Sequence, residues 1–347
     1  MLRYLTAGES HGKAIVAILE GMPAGLKVEV SKINAELKRR QRGFGRGRRM
    51  QIEKDRAQII SGLKNNLTLG SPIALCILNK DFSIEKLAKV VYPRPGHADL
   101  AGLLKYGFQD IRNVLERASA RSTAATVGIG AVCKIFLNEF GIKISSRVLS
   151  IGGENTKQGM TEKISEAIKN KDTIGGVFAV VAKGVPAGLG SYAQADKRLD
   201  ACLALSIMSI PGIKAIEFGL GLGYAVSFGS EVHDAVYYSK TRGYFRKTNN
   251  AGGIEGGISN GEEIVLRACM KPISTLMNPL DSVNVVTKKA HPAAVQRSDV
   301  CVVESAGVIA ESACAFVLAG SLLEKFGGDN LLDTRKSYAD YKKRIKQ

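Results

Sequence analysis

The chain has 347 residues, 45% hydrophobic and 23% charged, a composition that buries a sizeable core and excludes intrinsic disorder. A net charge of +17 asks for an anionic partner, and the placement of the basic residues decides between nucleic acid and a small molecule. Six cysteines without a CxxC pair, and four histidines, argue against a disulfide framework and a structural zinc site. No apolar run reads as a membrane span and no signal-peptide stretch opens the chain, so a cytoplasmic protein is expected.

In chain order, Gly8-Glu9-Ser10-His11-Gly12 is the first motif. It matches the G-x-S-x-G elbow of serine hydrolases, yet only one short strand fits before it. It fails as a P-loop, because only three residues separate the glycines and Ala14 stands where Ser or Thr should hold magnesium. A helix capped by Ser31 then leads into Arg39 to Arg49, where arginines alternate with glycines. That composition lets the backbone fold around a small anion, with guanidinium forks to grip carboxylate or phosphate. Stacking aromatics of the kind nucleic-acid readers use are not interleaved there.

Pro72 to Leu78 reads as a strand. Arg94-Pro95-Gly96-His97-Ala98-Asp99 opens an amphipathic stretch ending near Gly107, which places His97 beside a helix N-terminus. Glu116 to Thr123 follows the same logic: Ser119 or Ser122 caps the next helix, and Arg121 sits at its positive end. Ser122 to Phe140, Ala195 to Ser209 and Glu304 to Phe326 are apolar on nearly every face, as buried helices are. Further strands are expected over Val177 to Val181, Ala215 to Gly219 and Glu263 to Met270. Gly219 to Gly223 lacks the spacing of a dinucleotide loop and reads as a turn. Asn249 to Gly261, rich in Gly and Asn, permits close approach to a ligand. Lys271 to Thr275 ends a strand, and Arg297-Ser298-Asp299 precedes the last apolar helix. The endings Phe136 to Gly141 and Leu322 to Gly327 are alike, which hints at an internal duplication. One domain, residues 1–347, is expected, with a basic tail from about residue 336.

Taken in order, Gly8 to Gly12, Arg94 to Asp99, Ser119 to Ala124, Asn250 to Gly261, Lys271 to Thr275 and Arg297 to Asp299 resemble the chorismate synthase family along essentially the whole chain. The resemblance implies an α+β fold, a β-α-β sandwich with long buried helices between two antiparallel sheets, assembled as a homotetramer. It implies reduced FMN, supplied through NADPH or an external flavin reductase. The reaction would be the last step of the shikimate pathway, an anti 1,4-elimination of phosphate from 5-enolpyruvylshikimate 3-phosphate without net redox change. By the same resemblance Arg40, Arg46, Arg49, Arg94, Arg121 and Arg297 bind the trianionic substrate. His11 protonates or stabilises the reduced flavin and His97 protonates the departing phosphate, roles that suit imidazole near neutral pH. Asp299 and Ser119 act near the flavin, and Met50, Ser119, Asn250, Ala251, Lys271, Thr275 and Asp299 fall on flavin-binding positions. Ser298 departs from the family, which often has His there. His233 and His291 match no motif. A nucleic-acid-binding protein and a serine hydrolase are the alternatives, and no nucleic acid or membrane partner is expected.

Overall fold

A computed structural model describes residues 1–47, 54–296 and 299–345. The first half begins with an antiparallel hairpin, β1 (Arg3–Ala7) and β2 (Ala14–Glu20), followed by helix α1 (Val30–Arg40). Strands β3 (Ala57–Ser61) and β4 (Ile73–Leu78) complete a sheet in the order β1-β2-β4-β3. Alternation fixes which face is buried: Ile15, Ala17 and Leu19 of β2 and Ile73, Leu75 and Ile77 of β4 point inward. An excursion carrying α2 (Asp99–Tyr106) and α3 (Arg112–Ala118) then leads into α4 (Thr123–Asn138).

The second half repeats this plan. Strand β5 (Lys143–Ile151), helix α5 (Lys157–Lys169), β6 (Gly176–Lys183), α6 (Leu199–Met208), β7 (Ile213–Phe218) and β8 (Ile264–Met270) precede α7 (Val303–Phe326). The sheet order is β5-β6-β8-β7, again antiparallel throughout. Each half therefore has the strand order first-second-fourth-third, a helix between its second and third strands, and a long helix after its fourth. The topology supports the duplication hinted at by the two helix endings.

Helix α4 packs on β2 and β4, α7 packs on β5 and β6, and the two helices pack on each other between the sheets. Their contact is close because Gly130 faces Ser312: a Cβ on Gly130 would lie 2.2 Å from the Ser312 Cβ. One buried charge interrupts this apolar seam. Glu311, fully buried on α7, accepts two hydrogen bonds of 2.7 Å from Arg39, one of 2.5 Å from Lys134 and one of 2.6 Å from Ser146.

Several expectations are corrected. Helix α1 begins at Val30 with Glu29 before it, so Ser31 lies inside the helix and caps nothing. Helix α6 buries only one face, through Leu199, Leu203 and Ile207, and leaves Leu205 and Met208 exposed. The basic stretch from residue 336 lies mostly on α8 (Leu331–Arg344), which carries Lys342, Lys343 and Arg344 in its last turn and buries Leu331, Thr334 and Tyr338. With 24 residues, α7 is long and apolar enough to span a membrane, contrary to the reading of the sequence, but most of its surface is buried between the sheets.

Candidate functional site

The Gly8–Gly12 segment joins the antiparallel strands β1 and β2, so it lacks the strand-to-helix turn of a hydrolase elbow. Gly8 has φ +110°, and a Cβ there would meet the Ala14 carbonyl oxygen at 2.2 Å. Only glycine makes this turn. The loop is fixed from two sides. Asn79, at the end of β4, donates through Nδ2 to the carbonyl of Gly12 at 2.7 Å and to those of Glu9 and Ser10 at 3.2 and 3.3 Å. Glu116, buried on α3, accepts from the His11 backbone N–H at 2.8 Å. Its two oxygens lie 2.9 and 3.0 Å from His11 Nδ1.

Beside this loop lies a cluster of guanidinium groups. Arg121 donates from Nε to Asn79 Oδ1 at 2.7 Å and from Nη1 to Asp55 Oδ1 at 2.6 Å. Arg40 reaches the other oxygen of Asp55 at 3.3 Å and also donates to Thr123 Oγ1 at 3.0 Å and to the Ala120 carbonyl at 3.2 Å. Burial pulls the Arg40 pKa down to about 10; Arg121 and Arg46 push the same way, while Asp55 and Asp299 oppose them. Arg46 pairs with Asp299 at 3.1 Å, and Asp299 accepts from the Gly47 N–H at 2.5 Å. Ser119 Oγ accepts from the Arg121 N–H at 3.2 Å, capping the single 3-10 turn that precedes α4, whereas Ser122 makes no such cap. Two donors in this cluster, Arg121 Nη2 and Arg46 Nε, are buried without a hydrogen-bond partner among the described residues. An unsatisfied buried donor costs about 1–3 kcal/mol, so both atoms call for an acceptor.

A second group forms around His97. Asp99, the first residue of α2 and fully buried, accepts from Arg94 Nε at 2.8 Å and Nη2 at 3.0 Å and lies 2.5 Å from His97 Nδ1. Burial raises the Asp99 pKa, but the hydrogen bonds from His97 and Arg94 more than reverse this, holding the carboxyl well below the usual range. Arg94 Nη1 donates to Thr275 Oγ1 at 2.7 Å. Lys271, just past β8, donates to the Gly96 carbonyl and to Ser274 Oγ, the latter at 3.0 Å. Burial, with Lys214 nearby, lowers the Lys271 pKa.

The two groups adjoin through the backbone. Thr173 Oγ1 donates to the Ile273 carbonyl at 2.7 Å, Ile174 N–H to the Val300 carbonyl at 3.0 Å, and Val300 N–H to the Gly45 carbonyl at 2.8 Å. One strip of chain thus ties Lys271–Thr275 to the loop of Arg46 and Asp299. Asn250 and Ala251 are elsewhere within the chain. The neighbouring Gly252 bonds Val265 at the start of β8, six residues and ~20 Å from Lys271 at ordinary strand rise. Their backbone N–H groups are taken by Asp234, each at 2.8 Å. Arg49, Met50, Arg297 and Ser298 lie outside the described residues. Sequence reasoning missed Asp55, Asn79 and Asp234. It quoted Glu116 and Asp99 inside motifs without a role, although an acid beside an arginine-bearing motif was the available signal. His291 is exposed and stacks on Tyr92 with ring centroids 3.7 Å apart.

Comparison with known proteins gives the family. Residues 2–323 match the chorismate synthase family. The chain is 53% identical to a chorismate synthase of Caldanaerobacter subterraneus subsp. tengcongensis over 343 residues, 98% of each chain. It is 48% identical to one of Geobacter sulfurreducens over 386 aligned positions, again 98% of each. A crystal structure of chorismate synthase matches with a TM-score of 0.82 at 42% identity, covering 99% of this chain and 98% of that one. The chain belongs to the chorismate synthase family, and it is a carbon–oxygen lyase.

Proposed function

We propose that the Arg40–Arg46–Arg121 cluster and the Arg94–His97 group bound one cleft that converts 5-enolpyruvylshikimate 3-phosphate to chorismate with reduced FMN. The observation that carries this reading is that two donors of this cluster, Arg121 Nη2 and Arg46 Nε, are buried without an acceptor among the described residues. Among those residues the three guanidinium groups pair with two carboxylates, Asp55 and Asp299, so this part of the cluster keeps net positive charge for a trianion. Ser119, Lys271, Thr275 and Asp299 are candidate contacts for FMN, with Lys271 the cation among them and Asp299 placed toward the flavin ring by resemblance. Arg49, Arg297 and Met50 would join by resemblance. Asn250 and Ala251 would serve a site only from a neighbouring copy, as a homotetramer allows.

Phosphate leaves with the pair from its C–O bond and the hydrogen is lost as a proton; the C–H pair forms one ring double bond while the existing one shifts toward the carbon that phosphate left, so no net oxidation occurs. Ser119, Lys271, Thr275 and Asp299 would hold reduced flavin, which when bound would lend electron density that eases loss of a hydrogen with no adjacent carbonyl. His97 hands its proton to the departing phosphate from Nε2, because Asp99 occupies the Nδ1 side. Arg94, fixed by Asp99 and Thr275, holds the phosphate in place. His11 holds a proton at the flavin, and Asp299 orients Arg46 and the Gly47 amide.

The decisive experiment mixes purified protein, FMN, dithionite and the substrate anaerobically and follows phosphate and chorismate. Stoichiometric release of both is expected, and absence of phosphate overturns the reading. Replacing dithionite by NADPH, with and without an added flavin reductase, identifies the source of reduced flavin. Light scattering tests the tetramer as four times the 37.1 kDa chain mass. A cytoplasmic location is proposed on the family's biosynthetic role.

A further inference from the structure

We infer that Glu116 is a positioning residue that sets the tautomer of His11, and with it the ring nitrogen that His11 offers to the cleft. The inference rests on the proposed function only for the consequence to turnover; the tautomer itself follows from geometry. Three contacts converge on one buried carboxylate. Glu116 Oε2 accepts from the His11 backbone N–H at 2.8 Å, and both carboxylate oxygens lie within 3.0 Å of Nδ1. The Glu116 carbonyl accepts from the Ser10 N–H at 2.9 Å, so α3 grips the loop by main chain and side chain together.

An ionised carboxylate only accepts, so Nδ1 must carry a hydrogen. The neutral ring then has its lone pair on Nε2, and the charged ring donates from Nε2. Glu116 remains ionised despite burial, which pushes its pKa up, because the bonds from His11 outweigh that cost and leave it below the ordinary value. Arg112, one turn earlier on α3, adds its Nη1 at 3.7 Å. From the loop after β4, Asp81 faces the opposite edge of the ring at 3.8 Å from Nε2. Asp99 holds His97 by the same nitrogen, so both imidazoles of the site present the same edge.

The test is Glu116→Leu, with Glu116→Gln beside it. Leucine removes both acceptors from Nδ1 and leaves Asp81, on the Nε2 side, to hold the ring hydrogen, whereas the glutamine oxygen at the Oε2 position can still accept from both the His11 N–H and Nδ1. Nitrogen-15 NMR of histidine-labelled full-length protein, taken up in pH until the ring is neutral, reads the tautomer without turnover; His11→Asn assigns the signals. Protonated Nδ1 in the wild type and protonated Nε2 in Glu116→Leu are expected. Turnover should fall by about 10²-fold, the scale of losing general acid–base help, with KM changed less than threefold. A wild-type His11 protonated on Nε2 overturns the inference, and so does an unchanged tautomer in a folded Glu116→Leu. Should that variant not fold, Glu116→Asp must keep the wild-type tautomer, and its loss counts against the inference. A wild type that releases no phosphate yet shows the expected tautomers refutes the proposed function and leaves the positioning intact.

Discussion

Arg121 is clamped to Asp55 at 2.6 Å through Nη1 while its Nη2, also buried, has no acceptor among the described residues. A guanidinium held rigid with one prong empty is preorganised for an anion, since its conformational cost is already met by folding.

Arg121→Lys removes the fork and leaves a point charge. The bond to Asp55 or to the ligand can be kept, but not both together with the bond to Asn79. KM for the substrate should rise at least tenfold, about the 1.4 kcal/mol that one charge-assisted bond exceeds. Steady-state phosphate release checks this, and an unchanged KM removes Arg121 from the binding cluster.

His97→Ala should lower kcat by about 10²-fold, because phosphate would leave without its proton donor. Single-turnover assays separate this step from product release. Turnover near that of the wild type reassigns the acid.

Asp99 ties acid stability to the same loop. Its folded-state pKa lies below its unfolded value, so its contribution is present above pH ~4 and is lost as pH falls further toward the folded value. Urea melts between pH 4 and pH 2.5 should show stability falling with acid. Asp99→Asn, already destabilised at neutral pH, should show a shallower slope there, and parallel slopes would contradict this assignment.

Gly130→Ala should destabilise the chain by ~1–3 kcal/mol, the usual cost of overpacking. The new methyl carbon would stand 2.2 Å from the Ser312 Cβ on the facing helix. Chemical denaturation reads the loss, and Gly130→Ala with Ser312→Gly should recover part of it.

Glu311→Ala should cost ~1–3 kcal/mol, because it removes the buried acceptor shared by Arg39, Lys134 and Ser146 and leaves Glu36 alone to pair both cations. The same melts measure it. A loss under about 0.5 kcal/mol would show that Glu36 suffices, and Glu36→Gln with Glu311→Ala should then cost more than the two changes separately.

The long helices were legible in the sequence because α4 and α7 are apolar on almost every face, a pattern that fits only burial on all sides. Strands β6 and β8 were legible as β-branched runs. Strand β1 was foreseen only as the one short strand with room before Gly8; β3 and β5 were not named, being edge strands with exposed outer faces, nor was β2, whose continuous apolar run does not alternate. Helix α6 was overcalled as buried: composition shows that Leu205 and Met208 are apolar, but not that they face outward. For the site, the motif residues His11, Arg94, His97 and Arg121 were legible. Asp55 and Asn79 were not, because each stands alone in its stretch and acquires its role only when β4 and the segment before β3 come beside Arg121. Asn250 and Ala251 show the reverse limit: a loop can look ligand-ready while the fold of its own chain puts it ~20 Å away along a strand.

The seam between α4 and α7 fixes how this enzyme can move. With a glycine pressed against a serine and no room for a methyl group, neither helix can slide or roll past the other without breaking the seam. The two helices therefore couple the sheets closely, and sliding of one half over the other meets resistance at this seam. Opening that admits the substrate is easier in the connecting segments at the rim, and hydrogen exchange on mild heating should be faster there than in α4 and α7.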